Sequence, residues 1–390
     1  MVKKILLALI ILVVAATAVG GVVHFSSLDK SKEGPVIVEF VKSSFKRFAP
    51  SDEFVKPIGR THYSDEKRYI SMSGSGIEFF CKGSYAYITV IGDGVQEQSR
   101  NSHARFAIYK NNELIIDDTV SFEKKKYHID INDFENGAVI RLVKLSEAKC
   151  SGFYIGDIGA FCTGDIEPTA EKEIKIEFIG DSITCGYGID AGAVGEFSTH
   201  TENFTKTYAY LTAQSLDADY SVVAFSGYGM LSGYTGDGTI NIEGRVGKYY
   251  DKSALYHNGG KALWDFSDFT ADFVVINLGT NDASYCFTRE RCLRFKESYL
   301  DFIISVRRRY PEAYIFCVLG DMNNSLYPLI EQAAEEFRIS ESDYRIKALT
   351  LDFKMGENEI VIDGHPGADS NALAAETLVS EIKKVIDYGY

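Results

Sequence analysis

From about Ser51 to Thr163 the chain alternates apolar and polar residues in short runs: Gly76–Cys81, Tyr85–Ile91, Arg105–Lys110, Glu113–Asp117, Tyr127–Ile131, Ala138–Leu145 and Phe153–Cys162. Gly, Asn and Asp separate them, and Lys110-Asn-Asn-Glu113 marks a hairpin. A period of two with turn residues between the runs, and no helical periodicity, predicts an antiparallel β-sandwich. Beyond residue 173 the pattern changes. Strand-like runs follow near 174–179, 220–225, 272–278, 313–319 and 346–352, and Asp272–Gly279 stays apolar without alternation, as a strand buried on both faces does. They take turns with helix-like segments near 206–217, 290–310, 323–337 and 368–387. That order predicts an α/β unit in which helices cover both faces of a parallel sheet.

The two patterns divide a chain of 390 residues, a length at which one core usually splits. Residues 51–163 make the sandwich, 164–172 a polar linker and 173–390 the α/β domain. Ahead of them, Met1-Val-Lys-Lys4 is basic and Ile5 to Val23 is an uncharged run of apolar and small residues. Residues 1–24 therefore read as a signal peptide or an N-terminal anchor, and 25–50 as a spacer. Ala16-Thr-Ala18 suits a signal peptidase, yet the run is long enough to span a bilayer uncleaved. Either way the protein is expected outside the cell, released or held at the outer face of the membrane. A net charge of −14 argues against nucleic acid and anionic lipid as partners. The seven cysteines are scattered, and neither Cys-x-x-Cys nor His-x-x-x-His occurs, so no metal and no cofactor is expected.

Candidate chemistry gathers at three loops of the second half. Ile174-Lys-Ile-Glu-Phe-Ile-Gly-Asp-Ser-Ile-Thr184 stops on a glycine and presents Ser182 at a strand tip, placed for attack on an ester carbonyl. The plainer reading is an ordinary helix N-cap. Asp272-Phe-Val-Val-Ile-Asn-Leu-Gly279 delivers Asn281 and Asp282, and Val361-Ile-Asp-Gly-His-Pro366 delivers Asp363 and His365. Loops at the carboxyl ends of parallel strands converge on one crevice. A serine hydroxyl needs a base within reach, and His365 is the side chain able to accept its proton near neutral pH. Asp363 could hold the imidazole tautomer, although two residues of spacing stand against a well-aligned contact. Asp181 and Asp282 resemble a glycosidase carboxylate pair.

The Gly-Asp-Ser-Ile, Gly-Thr-Asn-Asp and Asp-Gly-His-Pro blocks resemble those of SGNH (GDSL-type) hydrolases. Phe178-Ile-Gly-Asp-Ser-Ile-Thr-Cys-Gly-Tyr-Gly188, Glu202-Asn-Phe204, Phe225-Ser-Gly-Tyr-Gly229 and Val275-Ile-Asn-Leu-Gly-Thr-Asn-Asp282 are similar to the family 2 carbohydrate esterases, which are two-domain acetylesterases. The resemblance covers roughly residues 50 to 390 and implies a three-layer SGNH domain behind a jelly roll. It implies an oxyanion hole from the Ser182 and Gly229 amides and the Asn281 side chain, with Gly227 close enough to replace Gly229. It also implies that Asp181 and Asp282 are structural, that Cys185 packs near the elbow, and that a backbone carbonyl can orient the histidine in place of Asp363.

The expected function is an exported O-acetylesterase acting on acetylated polysaccharide or oligosaccharide, of xylan or glucomannan type, through an acetyl-Ser182 intermediate. The alternatives are an O-acetylesterase of bacterial cell-wall or secreted glycan, and a carbohydrate-binding protein with little turnover. A lipase-like esterase ranks lower, because no continuous apolar loop stands beside the motifs. Between Gly227 and Phe266 a long loop carries Tyr228, Tyr234, Tyr249, Tyr250, Tyr256 and Trp264. Of these, Tyr228 and Trp264 are candidates to stack on a sugar ring, and Trp264 could equally pack against the sheet.

Overall fold

The computed structural model describes residues 21–23, 40–94, 100–255, 262–354, 356 and 359–388. Most of the expected leader, residues 1–20 and 24, and most of the expected spacer, 25–39, lie outside the described residues, as does Tyr256. Gly21–Val23 pairs antiparallel with Phe40–Lys42. Among the described residues no helix is long and apolar enough to cross a membrane.

The first half is an antiparallel sheet curled around its own core of Val55, Ile77, Phe79, Ile88, Phe106, Leu142 and Phe153. Two of its strands are longer than the sequence pattern predicts. Gly76–Gly92 runs through the expected break at Lys82-Gly-Ser84, and Lys124–Lys144 runs through Asn132–Gly137 with register shifts. Close approach explains the first case, since a Cβ on Gly83 would lie 2.1 Å from the Phe161 carbonyl oxygen. Here glycine lets neighbouring strands bend together rather than ending one. The sheet also takes in residues assigned above to spacer and linker: Ser44–Phe48 pairs with Ile158–Cys162, and Glu167–Pro168 with Phe79–Phe80.

The second half has five parallel strands in the spatial order Ala218–Ala224, Ile174–Gly180, Phe273–Asn277, Tyr314–Gly320 and Ile346–Leu351. Successive residues of each strand serve opposite faces. Val274 and Ile276 pack under helices Arg289–Arg309 and Tyr327–Ser340, while Phe273 and Val275 pack under Tyr208–Ser215 and Ala368–Tyr388. Double coverage is why Phe273–Asn277 and Tyr314–Gly320 are buried along their whole length and read as nearly continuous apolar runs. The chain leaves the first strand, Ile174–Gly180, for one edge and returns to its other side, so the switch point of the winding lies at the carboxyl end of that strand. Such a point is where open α/β sheets form a crevice.

Candidate active site

Strand Ile174–Gly180 ends on a glycine that no other residue could replace, because a Cβ there would lie 2.0 Å from Thr184 Oγ1. Asp181 then caps the short helix Ser182–Cys185 by accepting from the Ile183 amide at 3.1 Å. The N-cap belongs to Asp181, which leaves the Ser182 hydroxyl at the helix start and 6% exposed. His365 reaches it from the last loop, with Nε2 2.8 Å from Ser182 Oγ.

The other face of the imidazole differs from a serine triad. His365 Nδ1 lies 3.3 Å from the Ile362 carbonyl oxygen, and no carboxylate meets it. Asp363 and Gly364 both adopt left-handed backbone, at φ 54° and 75°. This tight turn folds the Ile362 carbonyl under the ring and sends the exposed Asp363 side chain outward. Asp363 instead accepts from the Tyr187 hydroxyl at 2.7 Å. The expected direct contact between Asp363 and His365 is therefore corrected: the spacing leaves room for a carbonyl only. Burial holds the His365 imidazole below its usual 6.5, against the Ile362 carbonyl and the Asp363 charge, so the ring is neutral at neutral pH.

Tyr187 is the group that sequence reasoning missed. Its ring lies 4.4 Å from that of His365 and 4.3 Å from that of Phe197, both stacked. The signal was present in Cys185-Gly-Tyr-Gly188, a tyrosine held between glycines just past the nucleophile.

On the oxyanion side the structure corrects one donor. The Gly229 amide donates to the Gly244 carbonyl at 2.8 Å and is not available. The Gly227 amide, in the turn after the neighbouring strand, donates to no protein atom among the described residues, and neither does that of Ser182. Gly227 has φ 80°, and a Cβ there would meet nothing within 4 Å, so its backbone borders open space. Asn281 is 9% exposed, and its Nδ2 donates to the Tyr228 carbonyl at 2.8 Å and to Asp181 at 3.2 Å. Asp282 binds three successive amides, Met230, Leu231 and Ser232, at 2.8, 2.7 and 2.9 Å, tying the glycine turn to the third strand. Burial pushes its carboxyl up to about 6 against the pull of those amides. Both aspartates are thus committed to loop backbone and do not form a glycosidase pair.

Of the loop aromatics, Tyr228 is half-buried at the site, packed on Phe225 and Tyr249. Tyr234 is 63% exposed, and its amide donates to the Gly227 carbonyl. Trp264 is elsewhere: its indole faces the Arg60 guanidinium at 5.3 Å and packs against the core, which corrects its assignment as a sugar-stacking residue. One trio among the described residues has metal-ligating atoms within 4.8 Å of one another, Glu147, Cys185 and Glu202. Backbone donors already meet one oxygen of each carboxylate, since Glu147 accepts from the Ser226 amide and Glu202 from the Glu147 amide. Burial also pushes the Cys185 thiol and the Glu202 carboxyl well up, which disfavours the charged forms a cation would need. The trio is poorly suited to a cation.

A buried serine hydrogen-bonded to a neutral histidine, beside two unpaired amides at a sheet switch point, defines a serine ester hydrolase. The chain belongs to the GDSL-like Lipase/Acylhydrolase family, whose pattern it matches over residues 178–372. It is 35% identical to the cellulase/esterase CelE of Acetivibrio thermocellus over 221 residues, 55% of this chain and 26% of that protein. It is 22% identical to an acetylxylan esterase / glucomannan deacetylase of Cellvibrio japonicus over 357 residues, 89% of this chain and 93% of that one. The chain therefore spans about a quarter of the length of the first relative and nearly all of the second. Among solved structures, a family two carbohydrate esterase from Clostridium thermocellum in complex with cellohexaose superposes with a TM-score of 0.74 at 27% identity, covering 86% of this chain and 100% of that one. An acetyl xylan esterase, Est2A, from the rumen bacterium Butyrivibrio proteoclasticus shares the fold with a TM-score of 0.78 at 20% identity, covering 89% and 100%. Both halves are covered in each case, so the curled sheet and the α/β domain together are the shared unit.

Proposed function

We propose that this protein is an exported O-acetylesterase that removes acetyl groups from polysaccharide or oligosaccharide of acetylated xylan or glucomannan type. The carrying observation is the 2.8 Å contact between Ser182 Oγ and the neutral His365 Nε2. Ser182 Oγ attacks the acetyl carbonyl while His365 takes its proton. The negative oxygen of the tetrahedral intermediate is met by the Ser182 and Gly227 amides, joined by Asn281 when its 3.2 Å bond to Asp181 yields. Collapse breaks the ester bond, and His365 returns its proton to the departing sugar oxygen. In the second half His365 takes a proton from water, which attacks acetyl-Ser182, and returns it to the departing Ser182 Oγ as acetate is released. The Ile362 carbonyl holds the ring tautomer in place of a carboxylate. Names of the relatives above support the glycan and the acetyl group; Tyr228 and the exposed Tyr234 supply rings at the rim on which a sugar can stack. The basic start and the apolar run to Val23 support export, with anchoring at the outer face as the uncleaved form.

The test is acetate release from acetylated xylan and glucomannan, with Ser182→Ala beside the parent and acetyl and longer acyl aryl esters for comparison. Serine-dependent release that falls steeply with acyl length is expected. Activity on the acetyl aryl ester with silence on both plant glycans moves the assignment to bacterial glycan. Unchanged release by Ser182→Ala overturns the mechanism. Cellohexaose in the structural relative supports a second, binding role, expected as glycan binding that survives Ser182→Ala.

The lowered His365 pKa gives a pH dependence. The base acts only when neutral, so kcat/KM should stay on its plateau at neutral pH and fall as pH drops through a value below 6.5. A pH profile of kcat/KM with its acid midpoint above 6.5 would contradict the buried, carbonyl-bound ring.

A further inference from the structure

The turn that carries the Gly227 amide is held from the other domain. Ser226 precedes Gly227, and each of its backbone groups meets a side chain from the sandwich segment 147–149. Its amide donates to Glu147 Oε2 at 2.8 Å, and its carbonyl accepts from Lys149 Nζ at 2.6 Å. Lys149 also lies 5.5 Å over the Tyr228 ring, one residue past the glycine. Glu147 is itself fixed, with its backbone amide donating to the buried Glu202 at 2.8 Å.

The Ser226 carbonyl and the Gly227 N–H belong to one peptide unit. That unit is planar and trans, so the N–H points opposite to the C=O. An ammonium that fixes the direction of the carbonyl therefore fixes the direction of the amide. It also polarises the unit, because a peptide whose oxygen accepts a charged hydrogen bond is a stronger donor at nitrogen. Gly227 needs such an anchor more than most residues, since a glycine at φ 80° has no side chain to hold its backbone in place.

We propose that Lys149 of the sandwich domain is a positioning residue for the oxyanion hole, aiming and polarising the Gly227 amide through the Ser226 carbonyl, with Glu147 securing the preceding peptide. This rests on the serine esterase reading above and gives the first domain a part in the reaction of the second.

The experiment uses the full chain and an acetyl aryl ester, with Lys149→Met, Lys149→Arg and Ser182→Ala. Each is also titrated with a methyl trifluoromethyl ketone, which forms a tetrahedral oxyanion adduct with an active serine. Lys149→Met should lower kcat by about 10- to 100-fold with KM changed less than about twofold. The ketone should bind more weakly by the same factor. Lys149→Arg keeps a charged donor and should recover most of the loss. A lysine that merely supported the fold would not move ketone affinity in step with kcat. Parental kcat and ketone affinity in Lys149→Met overturn the inference, as does a loss confined to KM. If Lys149→Met does not fold, Lys149→Gln is read by the same criteria. Full activity in Ser182→Ala instead removes the esterase reading itself, so the two failures are distinguishable.

Discussion

Changing His365 to glutamine should lower kcat for ester hydrolysis by about 10⁴-fold or more, because nothing else takes the serine proton. Asp363→Asn should lower it by less than about 10-fold, since an exposed charge that does not touch the ring contributes little. In a serine triad both changes would be severe. The difference here follows from one contact: His365 Nδ1 faces the Ile362 carbonyl, and Asp363 meets the Tyr187 hydroxyl. A carbonyl accepts a hydrogen bond from Nδ1–H as a carboxylate does and so fixes the tautomer, but it carries no charge with which to stabilise the imidazolium. Stacking against Tyr187 limits ring rotation as well. Steady-state kinetics of the two variants on an acetyl aryl ester, with circular dichroism to verify folding, decide the matter. Equal losses would mean that Asp363 acts on the ring directly during turnover.

Arg60→Met should destabilise the whole protein by about 3–5 kcal/mol, because it leaves a carboxylate buried without its counter-charge. Arg60 comes from the sandwich and Glu177 from the nucleophile strand, and both side chains are fully buried at an N···O distance of 2.7 Å. Glu177 also accepts from Tyr250 at 2.6 Å and Ser221 at 3.2 Å. The guanidinium donates to the Tyr250 and Lys252 carbonyls within a box of Tyr250, Trp264 and Phe266 rings. Urea unfolding of the full chain should show a lower midpoint with an unchanged slope. Replacing both partners, Arg60→Met with Glu177→Leu, should recover much of the loss, since the penalty lies in the orphaned charge rather than in the absent pair. A single Arg60→Met variant as stable as the parent would show that water reaches Glu177. The pair also explains why the α/β domain is not expected to stand alone: removing residues before 164 would strip Arg60 and the 147–149 anchor together.

The sequence by itself determined the local architecture and the reacting pair. Five strand-like runs alternating with helix-like segments mark a parallel sheet, the unbroken apolar run 272–278 marks a strand covered on both faces, and the Gly-Asp-Ser loop follows from where the run 174–179 ends. Short-range geometry was less legible where one residue type serves two uses. Gly83 and Gly137 read as turn residues, and both sit within long bent strands, because close strand approach and a chain reversal ask for the same missing Cβ. Gly227 and Gly229 are two positions apart, and only the Gly244 carbonyl, brought back by a later bend, occupies one amide and leaves the other.

What tertiary structure alone decided lies in contacts between residues far apart in the chain. Lys149 on the Ser226 carbonyl, Arg60 on Glu177 and Asp363 on Tyr187 join positions separated by 77, 117 and 176 residues. A lone lysine, arginine or tyrosine carries no mark of its partner, since a long polar side chain looks alike whether it is solvated or buried against a distant backbone. Period and spacing report the face a residue presents to its own element. Which group from another element meets that face is set only when the two cores close on each other.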